Sequence, residues 1–147
     1  MATIEMHANR NLRPRVLSDG SRRGTERYFS FGHGVQPEWW RIADPLVKEA
    51  VVGVYENHQG SSEDALVITE GGFSVLLAGG ISSIRFDDID ELMPPRKEPV
   101  PLGLCLRLRS IGEVTIPVLP AGAAFDFYRF LLSAVGDFRS PPRRTPG

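Results

Sequence analysis

One cysteine, Cys105, stands in 147 residues. An intramolecular disulfide is therefore excluded, and a cysteine-based zinc site is disfavoured. No apolar run approaches the length of about 18 residues that a membrane-spanning helix needs. The first residues, Met-Ala-Thr-Ile-Glu-Met-His, lack a basic end followed by an apolar stretch, so no secretory signal is expected. A reducing, cytoplasmic setting fits these absences. Lysine is scarce, two against fifteen arginines, which resembles coding from a GC-rich genome and points to a bacterial source. The three histidines, His7, His33 and His58, are scattered, so no metal-ligand set is expected. No serine lies in a Gly-x-Ser-x-Gly setting, and Cys105 sits within a strand pattern with no histidine nearby. Neither a catalytic residue nor a cofactor is expected, and the chain reads as a non-enzyme.

What is present suits one globular domain: 41% hydrophobic and 24% charged residues, with a formal net charge of −1. That charge hides a split. Residues 1–30 carry +3, residues 139–147 carry +3, and residues 31–138 carry −7. The expected organisation is a flexible arginine-rich arm over 1–30, a folded domain over 31–138, and a Pro/Arg-rich tail over 139–147.

Strict alternation marks the last third. Leu104-Cys105-Leu106-Arg107-Leu108-Arg109 puts three leucines on one face and both arginines on the other. Val114, Ile116 and Val118 repeat the pattern after the turn Ser110-Ile111-Gly112. Four earlier strands are expected at 50–56, 65–69, 73–78 and 81–86, with Glu70-Gly71-Gly72 and Gly79-Gly80 as turns. Asp87 to Met93 reads as a short acidic segment with apolar anchors. Pro37 to Ala43 suits a short helical turn that Asp44-Pro45 ends. Ala124, Phe127, Tyr128, Leu131 and Val135 recur at helical spacing, which predicts a helix over about 123–135 with Gly136 capping it. The expected fold is α+β, mainly β: a partly closed antiparallel barrel of six to seven strands capped by one C-terminal helix.

This order of elements resembles the pleckstrin-homology-like domains, in particular the bacterial PH-like and GRAM-type domains. The residues that carry it are Asp64-Ala-Leu-Val-Ile-Thr-Glu-Gly-Gly-Phe73, the Ile-x-Phe-x-x-Ile phrase of Ile84 to Ile89, Leu104-x-Leu-x-Leu108, Val114 to Val118 and the Phe/Leu-rich helix. The resemblance spans about residues 46–136. It implies a scaffold that binds lipids, peptides or proteins, and no chemistry. One departure matters. The first hairpin region, Val54 to Ala65, carries Glu56, Glu63 and Asp64 and no Lys or Arg, so it repels phosphate and disfavours phosphoinositide.

Trp39-Trp40 is the most interface-like pair, since tryptophan is enriched at binding hot spots; packing onto the sheet is the plain alternative. Arg107 and Arg109 could form a partner-binding stripe, or simply pair across strands with residues such as Glu113. Phe31-Gly32-His33-Gly34 lacks the Gly-x-Gly-x-x-Gly continuation of a dinucleotide loop. Asp87-Asp88-x-Asp90-Glu91 lacks calcium-loop spacing and reads as a solvated acidic face. Arg96-Lys97 reads as a solvated loop. The expected function is a non-catalytic module that binds a protein or peptide partner, as an immunity or assembly subunit. The alternatives are weak, salt-sensitive attraction of the basic ends to nucleic acid or anionic membrane, and a small-molecule pocket inside the barrel.

Overall fold

A computed structural model describes residues 3–16, 18–20, 22–23, 27–43, 50–77, 80–94, 104–118 and 123–139. The fold is α+β and mainly antiparallel β. Helix α1 spans Ile4–Asn11, and two-residue strands β1 (Arg15–Val16) and β2 (Arg22–Arg23) pair with each other. Strand β3 (Tyr28–Ser30) leads through a 3-10 turn, Phe31–His33, to the four-residue helix α2 (Trp40–Ala43). Seven strands follow: β4 (Val51–Tyr55), β5 (Leu66–Thr69), β6 (Gly72–Leu77), β7 (Gly80–Arg85), β8 (Ile89–Leu92), β9 (Leu104–Leu108) and β10 (Gly112–Ile116). Helix α3 (Ala123–Arg139) is the last element among the described residues.

Eight of these strands make two main sheets. One has the order β3-β4-β5-β6-β7 and the other β10-β9-β8. Every pairing is antiparallel, and no ladder joins the two sheets among the described residues, so no closed barrel forms there.

The core lies between the sheets and α3. Phe127 is its centre, with ring centroids 6.3 Å from Tyr55, 5.6 Å from Phe73 and 5.5 Å from Phe130. Phe130 in turn meets Phe86 at 6.0 Å. Each large side chain buried this way contributes about 1.5–3 kcal/mol. Leu104, Leu106 and Leu108 face the core as their alternation requires, and Cys105 lies on the other face, 3.6 Å from Thr115 Oγ1.

The features that differ from the sequence expectation are α1 and strands β1 to β3 within the supposed arm, strand β8, and the end of α3. Residues 4–11, assigned to a loose arm, form a helix. Thr3 caps it by accepting from the Met6 amide at 3.1 Å, and Ile4, Ala8 and Leu12 enter the core beside α3. The acidic segment contains a strand, β8, because Ile89 turns inward while Asp90 and Glu91 stay exposed. Strand β5 is buried on both faces: Leu66 and Ile68 face the main core, while Ala65 and Val67 meet a second cluster with Trp40, Val54 and Leu76. Helix α3 runs through Gly136 to Arg139, so Gly136 lies inside it and is no cap. Asp44-Pro45, Arg96-Lys97 and the tail 140–147 lie outside the described residues.

Candidate functional site

Strands β3, β7, β8 and β10 end the two main sheets, and a cleft lies at two of them, β7 and β10. Strand β7 pairs only with β6 and strand β10 only with β9, so each carries one side without a ladder among the described residues. Between them the inter-sheet core opens to solvent as a cleft of about 450 Å³. Its floor is core: Val75, Ile84, Leu108 and Ile116, all buried. Its rim is mixed, with exposed Ser82, Ser83, Ser110 and Thr115 standing among apolar residues. Leu77 closes one side at 51% exposure and Ile111 the other at 72%, with half-buried Val114 between. Isolated exposed apolar residues need no explanation, but two that flank an apolar cleft form a continuous surface.

The local sequence explains this shape. Gly112 adopts φ 84°, which only glycine takes freely, and so tightens the β9–β10 turn. Asp88 fixes that turn from outside: its carboxylate accepts from the Ser110 amide at 3.0 Å and from the Ser110 hydroxyl. Ile111 is thereby held at the tip. Gly72, which starts β6, sits so close to the Ile84 carbonyl that a Cβ would collide with it. This close approach holds β6 and β7 in register, from Gly72 opposite Arg85 to Leu77 opposite Gly80. Among the described residues, Ser82, Ser83, Asp88, Ser110 and Thr115 are the polar lining residues, and no histidine, cysteine, lysine or arginine lines the cleft. Such a surface can bind by backbone pairing and apolar contact.

The tryptophans lie elsewhere. Trp40 is buried, edge-on to Phe31 at 4.9 Å, in the cluster that covers the outer face of β4, β5 and β6. Trp39 is half-buried, and its Nε1 donates to Glu56 Oε2 at 2.7 Å. The carboxylate of Glu56, itself buried, also accepts from the Gly60 amide at 3.1 Å. Glu56 therefore anchors the loop after β4 to the segment before α2. Asn57 extends that anchor, donating to the carbonyls of Asp64 at 2.6 Å and Pro117 at 2.8 Å. Arg107 and Arg109 lie on the outer face of the three-stranded sheet, facing Glu91 at 3.2 Å and Asp90 at 3.8 Å across β8. Glu113 stands opposite Arg107 on β10. The structure brings neither the tryptophan pair nor the arginine pair to the cleft.

The chain's three histidines also occupy different settings. His33 Nδ1 is 2.9 Å from Ser30 Oγ, which also bonds Asn9 Oδ1 at 2.9 Å and so ties α1 to β3. His7 is buried on α1. His58 sits on the β4–β5 loop with Glu63 and Asp64.

Sequence reasoning missed Leu77, Ile111 and Val114 as site residues. A signal existed: Ile111 is a large apolar residue at the centre of a three-residue turn, where polar residues are usual.

No family model, no curated protein and no solved structure matches this chain.

Proposed function

We propose that this chain is a non-catalytic interaction module of pleckstrin-homology-like architecture, and that it takes an extended segment of a protein partner into the cleft between β7 and β10. An antiparallel sheet of five strands, a second of three and a final helix support the architectural reading, with the two sheets read as a partly closed barrel and α3 across one open end. The observation that carries the binding reading is the continuity of Leu77, the core floor and Ile111 between two strands that each lack an outer ladder among the described residues. An extended segment added to β7 would satisfy that strand's outer amides and carbonyls. Its alternate side chains would enter the cleft.

Affinity capture from native lysate tests this, with wild type, Leu77→Asp, Ile111→Asp and an Arg107→Ala/Arg109→Ala double variant at two salt concentrations. The expected result is one stoichiometric protein that persists at high salt, is lost with either aspartate and is kept by the arginine variant. Equal capture by all four proteins would overturn the cleft. Nucleic acid or lipid alone, lost at high salt, would transfer the function to the basic ends.

A further inference from the structure

We propose that His58, Glu63 and Asp64 form a binding site for a first-row divalent cation of the zinc class, on the loop between β4 and β5. This site shares no residue with the cleft and stands independently of it. One ligand atom from each of the three side chains lies within 4.8 Å of the other two, and His58 Nε2 is 3.6 Å from Asp64 Oδ2. Donors about 2.05 Å from a tetrahedral ion stand roughly 3.4 Å apart. Small side-chain rotations therefore bring all three onto one ion without moving the backbone.

The loop is already held for this. Asp64 donates its amide to the Leu76 carbonyl at 3.0 Å, and its own carbonyl accepts from buried Asn57. At the other end the Ser61 amide bonds the His58 carbonyl at 3.0 Å, and Gly60, at φ 75°, is pinned to buried Glu56. Both ends of the ligand set thus hang from buried polar anchors, so binding orders little new chain.

The donor chemistry selects the ion. An imidazole nitrogen with two carboxylates suits zinc and its neighbours, whereas calcium wants six to eight oxygens and magnesium keeps a mostly aqueous octahedron. The side chains of His58 and Asp64 are 42% and 35% exposed, which leaves one side of the ion to water. Bound there, the ion would cross-link residue 58 to residues 63 and 64. It would also relieve the repulsion between the adjacent carboxylates of Glu63 and Asp64.

Calorimetric titration of the tag-free full chain with Zn²⁺ tests the site. One ion per chain is expected, with affinity weakened about tenfold or more in each of His58→Ala, Glu63→Gln and Asp64→Asn. Asparagine is the chosen replacement because Asp64 has φ 55°, which asparagine tolerates well. His33→Ala and Glu113→Gln, which lie elsewhere, should bind like wild type, and circular dichroism checks that each variant is folded. No saturable binding at millimolar zinc would overturn the proposal. So would unchanged affinity in folded His58→Ala and Glu63→Gln, or affinity for Ca²⁺ equal to that for Zn²⁺.

Discussion

At the scale of single residues, Tyr28 is the most informative. Its ring lies over Gly53, so closely that any Cβ there would collide with the hydroxyl. That hydroxyl is buried with no hydrogen-bond partner among the described residues. Burial first, and the Glu5 carboxylate second, push its pKa above the ordinary phenol range. An orphaned buried donor costs about 1–3 kcal/mol. Tyr28→Phe should therefore raise the urea midpoint, by about 1 kcal/mol in stability. A loss of stability instead would mean that the hydroxyl is satisfied. The pH dependence has a fixed sign. A folded pKa above the unfolded value of about 10 leaves Tyr28's contribution whole below pH 10 and removes it as pH rises further. The variant should lose less stability than wild type over that alkaline window. Nothing in the sequence marks Tyr28, because its position depends on β3 pairing with β4 through Tyr28–Tyr55 and Ser30–Gly53.

At the scale of elements, the strongly periodic ones were legible. The leucines of β9 and the apolar stripe of α3 face the core as their spacing requires. The failures have physical causes. Helix α1 is short and mostly polar, and its stability comes from docking against α3 and β4 and from the Ser30–Asn9 bond to β3. Leu12→Ala should cost about 2–5 kcal/mol, as for a core leucine, although it lies in a segment that composition assigns to a loose arm. A change below 0.5 kcal/mol in thermal or urea unfolding would contradict the docking of α1. Strand β8 escaped notice because four residues, Ile89 to Leu92, are too few to display alternation beside so many acids. Its acids face Arg107 and Arg109 across exposed gaps, so Arg107→Ala should change stability by no more than about 1 kcal/mol.

At the scale of the whole molecule, the α+β class, the mainly antiparallel sheets and the final helix could be read from pattern, and the cleft could not. Leu77 and Ile111 stand 34 positions apart, and their proximity exists only once β7 and β10 end two sheets that face each other. Likewise Trp39 and Trp40 look like an interface in one dimension. In three they form the outer cover of β4 to β6, which is why β5 can be apolar on both faces. That outer face is dry over β5 because Phe31, Trp39 and Trp40 pack against Ala65 and Val67.

Hydrogen exchange on the complex with the captured partner tests the central reading most directly. The expected result is new amide protection confined to residues 80–85 and 110–117, since strand addition ties up the outer amides of β7 and covers the β9–β10 turn. Protection confined to residues 39–43 or 104–109, with 80–85 unchanged, would contradict the cleft and return the interaction to the tryptophan or arginine face.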